Sequence, residues 1–199
     1  EEYIPFYSIQ INVDERCLIP RPETEYFIEI IKNNTSSPKN ILDVGTGTGC
    51  IALMLKKIFN ESKVDAIDIS EQALELAKEN ARINDLDVTF EVSDLLENVE
   101  KNNYDVVVAN LPYIPTSTLQ TLDNEVINYE PMIALDGGPD GLIYINELIK
   151  QIEDRDFNNF TLFLEVDSSH AKTILKNLNH WKDVKLEKDL VDRDRYIIA

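Results

Sequence analysis

Two periods of hydrophobic residues run along this chain, and each predicts a different kind of element. Short apolar runs bounded by turn residues predict buried strands, whereas apolar residues spaced three or four positions apart predict amphipathic helices. From residue 40 onward the predicted strands cover 41–44, 64–69, 88–92, 104–109, 160–166, 184–188 and 196–198. The predicted helices cover 23–32, 50–59, 71–84, 142–152 and 169–178. Ser70 precedes the third of these helices and is expected to cap it.

The order of these elements predicts the fold class. Strands and helices alternate from residue 40 to residue 178, which is typical of a parallel sheet covered by helices on both faces. No helix separates the last two strands, so they are expected to form an antiparallel hairpin. The predicted fold is α/β and Rossmann-like, with a mostly parallel seven-stranded sheet whose last strand is antiparallel.

The first 39 residues have a different pattern. Alternating apolar residues over 7–13 predict a strand, and 14–16 predict a turn. We expect this strand to belong to an N-terminal β-hairpin. Together with the helix 23–32, residues 1–39 are expected to contribute to the pocket of a main domain that covers 40–199.

The charge of the chain limits its partners. The 199 residues are 43% hydrophobic, and 37 acidic against 19 basic side chains give a formal net charge of −18. Such a composition suits one globular domain. Because nucleic-acid binding usually needs a basic patch, the acidic chain favours a small molecule or a protein as partner, in particular a basic protein, over direct binding of nucleic acid. No apolar run approaches the roughly 18 residues of a membrane span, and no signal-peptide pattern opens the chain, so no membrane partner is expected.

The cysteines and histidines do not predict a metal site. Cys17 and Cys50 lack metal-ligand spacing and are expected to be small buried side chains with free thiols, as in a reducing cytoplasm. His170 and His180 lie far along the chain from the motifs described below and are expected at the surface.

Polar or glycine-rich residues follow four of the predicted strands. The first strand leads into a glycine-rich turn, the second ends near Asp68, the third is followed by Asp94, and the fourth runs into the stretch 110–113. In open α/β sheets, ligands bind beyond the carboxyl ends of the strands. We therefore expect these four elements to form one binding site.

The turn from Gly45 to Gly49 can bring the backbone close to a ligand, and the helix that follows favours a carboxylate at its start. It lacks the spacing of a dinucleotide fingerprint or a P-loop, which fits a ligand with an amino-acid end. Asp68 stands where an acidic side chain accepts hydrogen bonds from ribose hydroxyls, although an acid at the start of a helix is the alternative. Asp94 could accept from an adenine amine with Leu95 against the ring, or could be a loop acid.

The stretch Asn110-Leu111-Pro112-Tyr113 can hold a planar nitrogen. The Asn110 side-chain carbonyl and the next backbone carbonyl can accept its two N–H bonds. Pro112 would stiffen the turn, and Tyr113 would offer an aromatic face. The alternative is a strand that ends in a proline turn with a packed tyrosine.

Two segments of the chain resemble known sequences. Residues 41–53, Ile-Leu-Asp-Val-Gly-Thr-Gly-Thr-Gly-Cys-Ile-Ala-Leu, resemble the first motif of class I S-adenosylmethionine methyltransferases. Residues 18–25, Leu-Ile-Pro-Arg-Pro-Glu-Thr-Glu, resemble a segment distinctive of the release factor glutamine N5-methyltransferases. Residues 129–131, 134–135 and 138–142 are similar to the same family, so the resemblance extends over essentially the whole chain.

The resemblance implies an enzyme and its reaction. Family members transfer a methyl group from S-adenosyl-L-methionine to the side-chain amide of the glutamine in the Gly-Gly-Gln motif of class I peptide chain release factors, leaving S-adenosyl-L-homocysteine (SAH). Because they usually carry a small helical N-terminal domain, and this chain begins at Glu1 without a methionine, we expect that domain to be missing here. The implied location is the cytoplasm.

Three groups of site residues follow from the motifs and the resemblance. The cofactor-binding group is Gly45, Thr46, Gly47, Thr48, Gly49, Asp68, Asp94, Leu95 and Asn110. The catalytic group is Asn110, Pro112 and Tyr113, and the substrate-binding group is Asn110, Leu111, Pro112 and Tyr113. The expected mechanism is a direct SN2 transfer that depends on positioning rather than on a strong base.

Two departures from the family pattern keep alternatives open. Leu111 stands where the family usually has proline, and residues 165–167 read Glu-Val-Asp in place of Glu-Ile-Gly. Asn-Leu-Pro-Tyr also occurs in ribosomal RNA adenine dimethyltransferases, so an adenine N6-methyltransferase acting on RNA or DNA remains an alternative. A cofactor-binding interaction module with impaired catalysis is the second.

Overall fold

The computed structural model describes residues 3–122, 124–155, 157 and 159–199. In chain order these residues form β1 (Tyr3–Phe6), β2 (Ile9–Asn12), α1 (Pro22–Asn34), β3 (Asn40–Val44), α2 (Cys50–Ile58), β4 (Lys63–Asp68), α3 (Glu71–Asn84), β5 (Thr89–Val92), β6 (Val106–Ala109), α4 (Asn124–Tyr129), α5 (Ile143–Asp154), β7 (Thr161–Glu165), α6 (Ala171–Asn177), β8 (Lys185–Lys188) and β9 (Asp194–Ile198). Two short 3₁₀ helices, Thr116–Thr121 and Met132–Ala134, flank α4.

Seven strands form one sheet in the order β5-β4-β3-β6-β7-β9-β8. Five of them are parallel, and β9 lies antiparallel between β7 and β8. This arrangement confirms the predicted α/β class and the antiparallel last strand. After β3 the chain adds β4 and then β5 on one side of it, and it then returns to place β6 on the other side of β3. The crevice beyond the carboxyl ends of β3 and β6 is therefore the topological switch point, where ligands of such sheets bind.

Side chains of each strand alternate between two apolar layers, because successive residues of a strand point to opposite faces. Val106 and Val108 of β6 pack in the layer that contains α1, α2 and α3. Val107 and Ala109 pack in the layer that contains α5 and α6. Helices therefore cover both faces, as the alternating sequence predicts.

The N-terminal hairpin differs in position from its prediction. The alternating pattern predicts one strand over 7–13, but β1 and β2 pair antiparallel around a turn at Tyr7 and Ser8. Tyr7 has a φ of 53°, which is a turn conformation and not an extended one. The hairpin is attached through Asn80 of α3, which accepts from the Asn12 amide at 2.7 Å and donates to the Thr48 carbonyl at 2.9 Å.

Local signals predicted the helices well. Helix α3 has the predicted bounds, and the Ser70 hydroxyl accepts from the Ala73 amide at 3.2 Å as an N-cap. The connection from β6 to α5 contains α4 and both 3₁₀ helices, which the sequence pattern did not predict. None of the helices in the described part of the chain is long and apolar enough to cross a membrane.

Candidate active site

A cleft lies at the switch point and encloses about 1030 Å³ with its open mouth included. Ten of the residues proposed from the sequence line it: Gly45, Thr46, Gly47, Thr48, Asp68, Asp94, Leu95, Asn110, Leu111 and Pro112. Four separate connections thus meet at one edge of the sheet. Gly49 and Tyr113 are not among the lining residues.

The glycine-rich turn has left-handed backbone conformations at all three glycines. A Cβ on Gly47 would meet nothing within 4 Å, so this glycine faces the open cleft. Gly49 is the N-cap of α2, and a Cβ there would lie 3.1 Å from the Cβ of Ala77. The role of Gly49 in the described structure is therefore to let α2 approach α3.

Asp43 stabilises the glycine-rich turn through hydrogen bonds. This residue of β3 is buried, and its Oδ2 accepts from the Thr46 hydroxyl at 2.7 Å and from the Ala52 amide at 3.1 Å. Its Oδ1 has no partner among the described residues. Burial raises the pKa of Asp43 to about 7, although the hydrogen bonds from Thr46 and Ala52 oppose the shift. The sequence pattern predicts only a buried strand residue at Asp43 and does not indicate this role in the turn.

Asp68 holds two backbone segments together. Its Oδ2 accepts from the Gly47 amide and its Oδ1 from the Ser70 amide, both at 2.9 Å. Burial raises the pKa of Asp68, and these hydrogen bonds lower it. The carboxylate thus has the structural role proposed as the alternative, and it also lines the cleft. Since carboxylate oxygens can accept more than one hydrogen bond, ribose binding remains compatible with these contacts.

Asp94 and Leu95 both line the cleft. The Asp94 side chain is exposed, whereas Leu95 is buried with a φ of 47°. A polar acceptor therefore stands beside an apolar wall, as binding of a flat base with an exocyclic amine requires. Their contact with adenine remains a prediction.

The stretch 110–113 divides between the cleft and the core. Leu111 is buried and packs over the glycine turn, where a Cβ on Gly45 would lie 2.8 Å from the Leu111 Cδ2. The Tyr113 ring packs against the apolar layer of α5 and α6, and burial raises the pKa of its hydroxyl to about 12. Stacking of Tyr113 on a substrate amide stays a prediction.

Two glycines near the end of the connection from β6 to α5 support this stretch. A Cβ on Gly137 would lie 2.7 Å from the Pro112 carbonyl oxygen, and one on Gly141 would lie 2.3 Å from the Tyr113 carbonyl oxygen. The Ile114 carbonyl accepts from the Gly137 amide at 2.8 Å. The backbone at Gly137 and Gly141 therefore packs directly on the backbone of residues 112–114.

Two segments that are distant in sequence also line the cleft. One is the N-terminal segment 16–24, of which Arg16, Leu18, Pro20 and Thr24 line the cleft. The other is the segment 130–134, of which Pro131, Ile133 and Ala134 line it. An ion pair of 2.6 Å between Arg21 Nη2 and Glu130 Oε1 joins the two. Glu130 is buried, and its Oε2 has no partner among the described residues.

A polar cluster that the sequence pattern does not indicate lies behind Asn110. The Asn110 Nδ2 lies 3.4 Å from the hydroxyl of the buried Thr24. Next to both lies Glu165, which is 2% exposed. Burial raises the pKa of Glu165 to about 7, while hydrogen bonds from Thr24 and Asn110 and the charge of Arg195 lower it. Only the spatial order of the strands brings these residues together, so no local pattern could have revealed the cluster.

The prediction for the histidines is wrong for one of them. His170 is half-buried beside Gly141, and its Nδ1 is buried without a partner among the described residues. It follows β7, so it lies close to the sheet edge in space although it is far away in sequence. His180 is at the surface, where it contacts Glu153 at 2.7 Å.

Cys17 and Cys50 are free and buried, as predicted. Burial raises the pKa of the Cys50 thiol to about 12 and that of Cys17 above its usual range. Across the described residues, no group of three or more His, Cys, Asp or Glu side chains is placed to hold a metal ion.

The chain is similar to one protein-family model and to known release factor glutamine methyltransferases. The family model described as Methyltransferase small domain matches residues 22–131. The release factor glutamine methyltransferase of Thermodesulfovibrio yellowstonii is 36% identical over 200 residues, which cover 97% of this chain and 72% of that protein. The release factor glutamine methyltransferase of Lactococcus lactis subsp. lactis is 37% identical over 196 residues, covering 96% of this chain and 72% of that protein.

Solved structures agree in fold. A methyltransferase from Pyrococcus furiosus superposes with a TM-score of 0.72 at 21% identity, covering 96% of this chain and 88% of that one. The N-terminal domain of human METTL16 in complex with SAH superposes with a TM-score of 0.64 at 16% identity, covering 96% of this chain and 74% of that one. At such identities the structures show a shared methyltransferase fold. The identity to relatives over most of their length shows more: the chain belongs to the release factor glutamine methyltransferase family.

Proposed function

We propose that this chain transfers a methyl group from S-adenosylmethionine to the side-chain amide nitrogen of a glutamine in a class I peptide chain release factor, within its Gly-Gly-Gln motif. One observation carries the proposal beyond family membership: the glycine-rich turn, Asp68, Asp94 and Asn110 line a single cleft at the switch point of the sheet. Each of these residues offers the group that one part of the donor or the acceptor would need.

Donor binding would use the segments that follow β3, β4 and β5. The turn before α2 offers backbone N–H groups to the amino-acid end of S-adenosylmethionine. Asp68 offers acceptors to the ribose hydroxyls, and Asp94 offers one to the adenine amine with Leu95 beside the ring. The SAH-bound neighbour supports a donor of this kind, because it shares the fold. Residues 1–39 would belong to the same catalytic unit, since Leu18 and Pro20 lie along the cleft.

Acceptor binding would use the stretch 110–113. The lone pair of an amide nitrogen is delocalised into its carbonyl group, so the nitrogen is a weak nucleophile. If Asn110 Oδ1 and the Leu111 carbonyl accept both N–H bonds, they orient the nitrogen and favour a pyramidal geometry with its lone pair towards the methyl group. Such interactions act by positioning and by electrostatic complementarity to the transition state.

The bound donor supplies an electrophilic methyl group on a sulfonium. A bond forms between the amide nitrogen and the methyl carbon as the carbon–sulfur bond breaks, and the sulfur keeps the electron pair as the thioether of SAH. The nitrogen then gives one proton to water. The side chains of the cleft would hold the two reactants in line and exclude competing water from the methyl group.

Mass spectrometry of a release factor incubated with the chain and the donor tests this function. We expect one added methyl group on the glutamine of Gly-Gly-Gln, and at least a hundredfold lower rate for Asn110→Ala, as for other removed positioning groups. Asn103→Ala, at an exposed position before β6, is the matched control and should keep the wild-type rate. A near-wild-type rate for Asn110→Ala would remove the assigned role.

The same experiment separates the alternatives. An adenine N6-methyltransferase would use the same stretch on another flat NH₂ group, so it would transfer labelled methyl to RNA or DNA and not to the release factor. The net charge of −18 argues against that substrate. An impaired interaction module would bind the donor in calorimetry without turnover on either substrate.

A further inference from the structure

The strand register places Glu165 beside Asn110. β6 and β7 pair in parallel with Ala109 opposite Leu164, so the next residues along the two strands, Asn110 and Glu165, are adjacent at the sheet edge. Two residues earlier, Val108 and Phe163 pack in the layer that contains α1. Because side chains alternate with a period of two, Asn110 and Glu165 extend this row and face the start of α1.

Thr24 completes the contact from α1. Its hydroxyl accepts from Asn110 Nδ2 at 3.4 Å. Both side chains lie close enough to the Glu165 carboxyl to lower its pKa. Thr24 and Asn110 line the cleft, whereas Glu165 is 2% exposed behind them. The Oε2 of Glu165 has no partner among the described residues. A buried carboxyl therefore lies directly behind the side chain that would hold the substrate.

The chemistry of these groups decides which way the Asn110 amide points. A side-chain amide can rotate by half a turn, which exchanges its carbonyl oxygen and its NH₂ group in space. A carboxylate can only accept hydrogen bonds, so it favours the orientation that turns Nδ2 towards it. In the opposite orientation two oxygens would face each other in a buried place, which is costly. The favoured orientation leaves the Asn110 Oδ1 for the cleft.

We propose that Glu165 is a positioning residue for methyl transfer, which with Thr24 fixes the Asn110 amide so that its Oδ1 accepts from the NH₂ group of the substrate. This role rests on the proposed function, since it assumes an acceptor with N–H bonds. Glu165 acts through Asn110 and does not touch the substrate.

The charge of Glu165 is required for this role. Burial raises the pKa of Glu165 to about 7. Above that pH the carboxylate can only accept hydrogen bonds, and below it the neutral carboxyl can also donate, so that the reversed Asn110 amide is tolerated. The charged groups near Glu165 are Arg195 on β9, which favours the carboxylate, and Glu23 on α1, which disfavours it. Asp189 in turn contacts Arg195 at 3.6 Å, and Arg193 contacts Glu23 at 3.1 Å. Activity is therefore expected to fall as the pH decreases through 7.

Glu165→Gln tests the proposal, because its neutral amide can donate or accept and tolerates both orientations. We expect kcat at pH 8 to fall about tenfold, which corresponds to a change of about 1.4 kcal/mol in the barrier. We expect the donor affinity to stay within twofold, and the decrease of kcat at low pH to disappear. The matched control is Glu23→Gln, which removes a neighbouring carboxylate that is not in contact with Asn110 and should keep the low-pH decrease.

Thr24 provides a second pair of variants in case Glu165→Gln does not fold. Thr24→Val removes the hydroxyl at nearly constant shape and should lower kcat severalfold. Thr24→Ser keeps the hydroxyl and should keep kcat near the wild-type value. A simple packing role would give the reverse order, because valine fills the space better than serine. Wild-type kcat with Thr24→Val, or a Glu165→Gln enzyme within twofold of wild type from pH 6 to pH 8.5, would overturn the proposal.

A substrate-free measurement separates this proposal from the proposed function. The side-chain ¹⁵N–¹H signals of Asn110, assigned by their loss in Asn110→Ala, should shift with pH around 7 in the wild type and not in Glu165→Gln. If the wild type methylates no release factor but these signals titrate, the substrate assignment fails and the orientation by Glu165 stands. If the signals do not titrate while methylation proceeds, the role of Glu165 fails alone.

Discussion

The ion pair between Arg21 and Glu130 should hold together two segments that line the cleft, and replacing Arg21 by Met should show how strongly. The change removes the guanidinium and keeps an apolar stem of similar length. Glu130 then keeps a buried carboxylate without the cation that lies 2.6 Å away in the wild type. The two segments that line the cleft, 16–24 and 130–134, lose this ion pair.

The size of the effect follows from the exposure of the two partners. Breaking a fully buried pair by removing one partner costs about 3–5 kcal/mol, whereas an exposed pair contributes about 0–1 kcal/mol. The Glu130 side chain is 3% exposed but that of Arg21 is 42% exposed, so water reaches the pair from one side. We therefore expect Arg21→Met to lower the free energy of unfolding by about 1–2 kcal/mol at pH 8, and to weaken donor binding about threefold to tenfold.

The pH dependence gives this prediction its sharpest test. Burial raises the pKa of Glu130 in the folded protein, and Arg21 lowers it. Without Arg21 the pKa of Glu130 rises further above its unfolded value. A group with a raised folded pKa contributes stability that is complete at low pH and is lost as the pH rises. The loss in free energy of unfolding caused by Arg21→Met should therefore be largest at pH 8 and become smaller towards pH 5.

Urea unfolding at pH 8 and pH 5, with calorimetry of donor binding, measures both effects. Lys150→Met is the matched control, because the contact of Lys150 with Glu147 is longer, at 3.7 Å, and exposed on both sides. It should change neither quantity measurably. A deficit of Arg21→Met that is equal at the two pH values would refute the electrostatic origin. A stability loss below about 0.5 kcal/mol would refute the stabilising role of the Arg21–Glu130 ion pair, since surface substitutions commonly have effects of that size.

Two further predictions concern the backbone below the cleft and the buried acids. In urea unfolding, Gly141→Ala should destabilise the protein by about 2 kcal/mol or more beyond the loss caused by Gly138→Ala. The Cβ added at Gly141 meets a backbone carbonyl oxygen at 2.3 Å, whereas the Cβ added at Gly138 meets the movable end of an isoleucine side chain. Equal losses of stability would contradict the packing of Gly141 on the stretch 110–113. The free energy of unfolding should also decrease as the pH rises from about 4.5 to 7, because Asp43 and Glu165, both with a pKa raised to about 7 by burial, keep protons that the unfolded chain has lost. The double variant Asp43→Asn, Glu165→Gln should flatten that decrease, and an unchanged slope would show that other groups cause it.

The parts of the site that the sequence predicted are those coded by neighbouring residues. The glycine turn, the Ser70 cap and the stretch 110–113 are each read from a few consecutive positions, and the strand-helix alternation then brings them to one edge of the sheet. The position of the first strand was predicted wrongly because alternation continues through Tyr7. The positive φ of Tyr7 belongs to the turn between two paired strands, and a single run of residues does not reveal that pairing.

The parts that were missed depend on contacts between distant segments. Thr24 and Asn110 are 86 positions apart, and Glu165 lies on a third segment. From the sequence, Thr24 could either start a helix or belong to a segment that folds over the pocket, and Glu165 lies near the end of a predicted strand. Their joint role appears only when β6 and β7 are known to be neighbours in register. Arg21 and Glu130 join two distant segments that line the cleft in the same way.

The two departures from the family pattern can now be judged by what their side chains do. Leu111 fills the space above Gly45 and is buried in the core, so a leucine here packs the stretch against the turn. Asp167 does not have a positive φ, so this backbone does not require glycine there. Its Oδ1 accepts from the Ser169 amide at 2.8 Å, which stabilises the turn before α6. Neither residue displaces Asn110, Asp68 or Asp94 from the cleft, and so neither supplies a physical reason for impaired catalysis.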